Sequence, residues 1–268
     1  MRNTDNTGCN MTFGKSIFRI IIGSLLPIFF SFSFSSSYAQ STAKPVYVIV
    51  HGTWGGGWAW KEVDSLLTIA GSNVYRPTLT GQGERVHLGS ADVGLHTHIL
   101  DIVNTILYED LHDVILIGHS YGGMVITGVV DSVPDRIKKV IYLDALVPEN
   151  KESVNTIFKN NISKFEIVDG FIIPFWVPAG KTPPKDVPQP IHTWTDTIVL
   201  ENSARLKVPT IYILTVEKSK DPKLDEFASQ SDRAKRRGWP VLILEADHNA
   251  QWSAPEGLVA MLKEIEKK

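Results

Sequence analysis

The chain has 268 residues, 43% of them hydrophobic and 21% charged, with 27 Lys+Arg against 29 Asp+Glu, a formal net charge of −2 and a single cysteine. This length suits one or two domains, and the apolar fraction supports a packed core rather than disorder. There is no basic stripe for nucleic acid, no Cys/His array for structural zinc and no set of cysteines for a disulfide framework, and a mean hydropathy near zero excludes a polytopic membrane protein.

At the N-terminus, Lys15 and Arg19 precede the apolar run Ile20 to Phe30, and a Ser/Phe-rich stretch then leads to Ser37-Tyr38-Ala39-Gln40. A basic region, a short apolar region and small residues at the −3 and −1 positions predict a secretory signal over residues 1–39, cleaved after Ala39. Pro27 and the serines keep the apolar stretch below the ~20 residues that a membrane span needs. Met11 is an alternative start to Met1, and Cys9 lies before the apolar region, the wrong place for lipid attachment. The expectation is an exported protein, periplasmic or secreted, made of residues 40–268, with no membrane span once the signal is removed.

Pro45 to Val50 reads as a fully buried strand that ends in the Gly-rich turn His51 to Gly57. Trp60 to Ala70 has helical spacing at Val63, Leu66 and Leu67 and stops at Gly71. A second strand is expected at Asn73 to Arg76, and an amphipathic helix at Leu95 to Tyr108 with Ile99, Ile102, Val103 and Ile106 on one face. The apolar strand Val114 to Ile117 runs into Gly118-His119-Ser120-Tyr121-Gly122-Gly123 and then an apolar helix, Met124 to Val130. Further strands are expected at Lys139 to Asp144, Thr210 to Thr215 and Val241 to Glu245, with a closing helix from Pro255 to Lys268. Continuous apolar strands alternating with helices predict an α/β fold, a mostly parallel sheet covered on both faces. Ligands bind such sheets outside the carboxyl ends of the strands. The alternation breaks at about 149–208, where Phe171, Phe175, Trp176 and Trp194 stand among six prolines. An insertion of this length predicts a cap or lid; a satellite hydrophobic cluster is the alternative.

Gly118-x-Ser120-x-Gly122 between a buried strand and a helix is the nucleophile-elbow pattern, in which side chains at 118 or 122 would collide with the sharp turn that lifts Ser120 above the sheet. A serine hydroxyl needs a base to accept its proton. His248, three residues past the strand Val241 to Glu245, stands at the same sheet edge and is the candidate. His51 heads the Gly-rich turn and His119 lies inside the elbow. His87, His96 and His98 fall in or beside a long loop, and His112 and His192 are expected at the surface or in the lid. The carboxylate that orients His248 is open between Asp144 and Glu217, each following a strand, with Asp221 third. An oxyanion formed on attack needs aimed N–H donors, expected from Tyr121 and Thr53. Trp54, Trp58, Phe175, Trp176 and Trp194 are expected to line an apolar substrate pocket.

The segments His51 to Trp60, Pro77 to Arg85, Gly118 to Met124 and Tyr142 to Pro148 together resemble the α/β-hydrolase superfamily, and more narrowly its bacterial serine esterases related to plant methylesterases and hydroxynitrile lyases. The resemblance runs from about Pro45 to the C-terminus. It implies a hydrolase fold with an inserted cap and cofactor-free, metal-free cleavage of small-molecule esters through Ser120, His248 and an acid. The methylesterase branch carries an aspartate after the later strand, where this chain has Val216, Glu217 and Lys218. Haloalkane dehalogenases and some lactonases carry it 24 residues past the nucleophile, which matches Asp144 and makes it the first choice over Glu217. Hydroxynitrile lyases have a lysine directly after the histidine, where this chain has Asn249. The expected activity is that of a carboxylesterase or lactonase acting on an apolar or bulky substrate, with macrolactones included. An amidase or C–C hydrolase with the same triad, and a ligand-binding protein on the hydrolase fold, are the alternatives.

Overall fold

A computed structural model describes residues 44–159 and 161–267, together with Gly14. The expected signal and its cleavage site lie outside the described residues, Gly14 excepted. The chain divides into two units, Met1–Thr42 and Ala43–Lys268, and the elements that follow belong to the second.

The first half contains β1 (Val46–Val50), α1 (Lys61–Ile69), β2 (Asn73–Tyr75), α2 (Leu95–Tyr108), β3 (Val114–His119), α3 (Gly122–Ser132) and β4 (Ile137–Leu143). A segment of short elements follows: α4 (Val154–Ile157), β5 (Ile167–Val168), β6 (Phe171–Ile172), β7 (Gln189–Pro190) and α5 (His192–Thr195). The chain closes with β8 (Thr210–Val216), α6 (Ala228–Arg236), β9 (Val241–Glu245), α7 (Ala250–Ser253) and α8 (Pro255–Glu266). The expected helix after the elbow is longer at both ends, and β4 starts two residues earlier than expected.

Six strands form one parallel sheet in the order β2-β1-β3-β4-β8-β9. Because side chains alternate across a strand, each apolar run serves two cores. Val48, Leu116, Val140, Tyr212 and Leu214 face α2, α3 and α6, whereas Tyr47, Ile49, Ile117, Ile141 and Ile213 face α1 and α8. Parallel pairing brings the carboxyl ends of all six strands to one edge. The turns after β1, β3, β4 and β9 therefore meet there, and they carry Thr53, Ser120, Asp144 and His248.

The segment between β4 and β8 holds a small antiparallel sheet, β5-β6-β7. Its hairpin turns on Asp169-Gly170, with φ values of 48° and 82°, the Asp-Gly sign of a two-residue turn with both residues left-handed. Among the described residues no helix is long and apolar enough to cross a membrane.

The elbow glycines are held by sterics. A Cβ at Gly118 would lie 2.7 Å from the Gly122 carbonyl oxygen, and one at Gly122 would lie 2.5 Å from the carbonyl oxygen of Val50 in the neighbouring strand. Neither obstacle is a flexible side chain, so Gly122→Ala is expected to destabilise the fold by about 3 kcal/mol, the upper end of ordinary overpacking. Thermal unfolding followed by circular dichroism checks this: a melting temperature equal to the parent's would show that the start of α3 is not locked against β1 at this point.

Candidate active site

Ser120 follows β3 directly and has φ 54°, in the left-handed region that non-glycine residues rarely adopt. Its amide donates to Leu143 O (3.3 Å), and its carbonyl accepts from Gly123 N (3.1 Å) and Leu146 N (3.0 Å). These backbone bonds hold the strained turn. Asp144, at the end of β4, also has a left-handed backbone, with φ 43°, and its amide donates to Ile213 O at 2.7 Å.

The Asp144 side chain lies beneath the imidazole of His248. His248 Nδ1 donates to Asp144 Oδ2 at 2.6 Å, and Thr215 N donates to Oδ1 at 3.2 Å. Asp144 is 1% exposed. Burial pushes its pKa up, and the His248 contact offsets part of that rise. With Nδ1 bound to the carboxylate, the neutral imidazole keeps its proton on Nδ1 and presents Nε2 as an acceptor, the tautomer that a general base needs.

Two further residues hold the ring, and one of them also holds its backbone. Phe227 stacks on it at 4.8 Å and 12° between planes, His119 lies against it at 4.7 Å, and His119 Nε2 donates to the His248 carbonyl at 2.8 Å. Phe227 has no sequence signature, and reasoning from motifs missed it. Burial and the nearby His248 charge hold the His119 pKa well below the usual histidine value, so His119 is a neutral strut.

His51 and His98 are neutral struts as well, with burial lowering each pKa to about 4. His51 Nδ1 donates to Gly52 O, and Leu79 N donates to His51 Nε2. His98 lies within α2, inside the expected helix Leu95 to Tyr108, and is fully buried, where its Nε2 donates to Thr80 O and its Nδ1 accepts from the Tyr121 hydroxyl.

Ser120 and His248 line one cavity of about 470 Å³, together with Thr53, Trp54, Trp58 and Trp176. No hydrogen bond joins Ser120 Oγ to His248 in this structure; bonds of this kind often tighten only with substrate in place. Thr53 lines the same cavity as Ser120 and Tyr121 follows it in the chain, and neither backbone amide donates a hydrogen bond to a described residue. An oxyanion formed on Ser120 would require N–H donors left unbonded in this way.

Four of the sequence-derived candidates stand elsewhere. The Glu217 side chain is 64% exposed and pairs with Lys220 at 3.6 Å. It follows β8 on the solvent side, so Asp144 alone of the two carboxylates meets His248. Asp221 accepts from Lys223 N as the cap of a short 3-10 turn. Phe175 is 77% exposed and packs edge-on against Trp176, outside the cavity wall. Trp194 is 5% exposed and lies behind the wall, against Trp54 at 5.7 Å, with its indole N–H on Thr53 Oγ1 at 3.3 Å. Its polar edge needs a buried acceptor, and that draws it into the core.

Residues 47–261 match the alpha/beta hydrolase family. An esterase from Nocardioides sp. (strain SG-4G), named for hydrolysing carbendazim, is 34% identical, with 81% of this chain and 97% of the esterase covered. A pheophorbidase from Raphanus sativus is 28% identical over 81% of this chain and 92% of its own length. The crystal structure of an Arabidopsis methylesterase superposes with a TM-score of 0.66 at 25% identity, covering 83% of this chain and 99% of that one.

The buried carboxylate has a thermodynamic consequence. A folded-state pKa raised above the unfolded value means that Asp144 favours the fold while protonated, and this contribution is lost as pH rises through the raised value. Asp144→Asn removes the ionisable group and keeps an acceptor for Thr215 N. The variant is therefore expected to match the parent in acid and to melt at a higher temperature than the parent at neutral pH. Paired melting curves across that range check the sign, and a neutral-pH variant less stable than the parent would contradict it.

Proposed function

The chain belongs to the alpha/beta hydrolase family, and on that basis we propose that it cleaves small carboxylic esters through an acyl-enzyme on Ser120. The observation that carries this reading is the Asp144–His248 hydrogen bond of 2.6 Å, at the rim of a cavity that His248 shares with Ser120.

In the proposed reaction, Ser120 Oγ attacks the ester carbonyl carbon while His248 Nε2 takes the hydroxyl proton. The oxyanion rests on the amides of Thr53 and Tyr121, and Asp144 stabilises the imidazolium. Collapse of the tetrahedral adduct breaks the ester C–O bond, and His248 returns the proton to the departing alcohol. Water, deprotonated by His248, then attacks the acyl carbon and releases the acid and Ser120.

The cavity walls favour an aromatic substrate. Trp54, Trp58, Trp60, Trp176 and Trp252 contribute indole surface. The volume, about 470 Å³, falls in the lower half of the range for small-molecule sites. That favours a mono- or bicyclic ester over a macrolactone. The relatives include a methylesterase and a carbendazim-hydrolysing esterase, and with the cavity volume this makes methyl esters of aromatic acids the proposed substrates, with aryl lactones next.

Ser120→Ala is expected to abolish release of p-nitrophenol from short acyl esters and labelling by a fluorophosphonate. Labelling of the parent without turnover on any ester, lactone or amide in a mass-spectrometric panel would favour a binding protein that retains a reactive serine. Asp144→Asn should lower kcat by about 10⁴, as loss of the orienting carboxylate does in related triads, whereas Glu217→Gln should stay within about twofold.

The reading includes export of residues 40–268. N-terminal sequencing of protein recovered from outside the cytoplasm should begin at Gln40; a chain starting at Met1 or Met11 would contradict cleavage.

A further inference from the structure

We propose that Gln189, which lies outside the cavity wall, is a positioning residue that holds the oxyanion-binding turn in its working shape. The inference rests on the acyl-enzyme reading above and concerns how the Thr53 amide is aimed.

Trp54 has φ 66°, a left-handed conformation that is unfavourable for an ordinary L-residue because its Cβ crowds the following carbonyl oxygen. No glycine relieves it. What holds it is a set of hydrogen bonds to the segment inserted between β4 and β8. Trp54 N donates to Gln189 Oε1 at 3.1 Å, Trp54 O accepts from Val187 N at 2.9 Å, and Trp54 Nε1 donates to Ile172 O at 3.0 Å. One residue earlier, Thr53 Oγ1 accepts from Trp194 Nε1. Among the described residues, the hydrogen-bond partners of Thr53 and Trp54 therefore all come from the insertion, and Gln189 alone contributes through a side-chain amide.

The orientation of that amide follows from its other neighbours. Thr193 Oγ1 donates to Pro190 O at 2.7 Å, so it receives Gln189 Nε2 on a lone pair at 2.8 Å. Gln189 Oε1 is then the end turned to Trp54 N. Gln189 is 0% exposed, so water cannot replace it without entering the packed interior. A bound Trp54 N–H sets φ of Trp54 and ψ of Thr53 together. The Thr53–Trp54 peptide cannot flip, and the preceding peptide, which carries the Thr53 N–H, is hinged on the same Cα. Without Gln189 the Trp54 amide loses its acceptor in a dry site, the left-handed conformation loses its support, and the Thr53 donor drifts from the position of the oxyanion.

Loss of one aimed donor lowers kcat by about 10²–10³ in a serine hydrolase. Misdirection of a donor that is still present is expected to cost less, about 10- to 100-fold. The experiment compares Gln189→Ala with the parent on a p-nitrophenyl ester and measures binding of an aryl boronic acid, which forms a tetrahedral adduct with the serine. The expected result is a fall in kcat of that size with KM within about twofold. Boronate affinity should fall by the same factor as kcat/KM, while affinity for the product acid is unchanged. Thr193→Val, which removes the hydroxyl that orients Gln189 and nearly keeps its shape, should move kcat in the same direction by a smaller factor, and it decides the matter if Gln189→Ala does not fold. A parent-like kcat and boronate affinity in the variants, alongside an inactive Ser120→Ala, would overturn the role of Gln189 and leave the acyl-enzyme intact. Full turnover in Ser120→Ala would overturn both.

Discussion

A hydrogen bond from His248 Nδ1 to a carboxylate buried beneath it gives the sheet edge its chemical direction. An imidazole on a loop can present either nitrogen and rotate about its side-chain bonds. Asp144 removes the first freedom by accepting the Nδ1 proton, and Phe227 and His119 remove the second by packing on the ring. The charge that does this is held where burial disfavours it. Ion pairing inside a protein compensates such desolvation only when geometry and further hydrogen bonds are good, and the Thr215 amide supplies one of those bonds.

The same edge concentrates backbone strain. Trp54, Ser120 and Asp144 all have positive φ, and each stands one to four residues past the end of a central strand. Conformations of this kind persist only where the surroundings over-determine them, and they gather at functional sites. Here the surroundings are the parallel ladder below and the backbone hydrogen bonds of Leu143, Leu146 and Ile213 around the turns. The buried histidines add rigidity without charge: His51, His98 and His119 are all kept neutral by burial and bonded to backbone or hydroxyl groups.

The inserted segment acts on the site in two places. Trp176 closes one wall of the cavity, with its indole N–H on Asp186. Behind the wall, β6 and β7 grip Trp54, so that a turn carried by the main sheet takes its final shape from the insertion. Aromatic residues that composition alone places in a pocket therefore divide by their polar atoms. Trp194 is drawn inward by an acceptor on Thr53, while Phe175, with none to seek, stays at the surface.

The main sheet, its helices and the elbow around Ser120 were legible in the sequence because each is written in consecutive residues: apolar runs for buried strands, helical spacing at Leu95 to Tyr108, and two glycines that no larger residue could replace. The hairpin at Asp169-Gly170 carried a local signal too, obscured by the prolines around it. The acid could not be chosen in this way. Asp144 and Glu217 follow equivalent strands, and only the folding of His248 across 104 residues selects one. Gln189 lies 135 residues from the amide it holds, and Phe227 is a lone aromatic in its segment. The sequence alone determined the local elements and the turn that strains the serine, since these depend on neighbours along the chain. The tertiary structure alone decided which groups orient the histidine and aim the amides, since a hydrogen bond between distant residues leaves no pattern in either stretch of sequence.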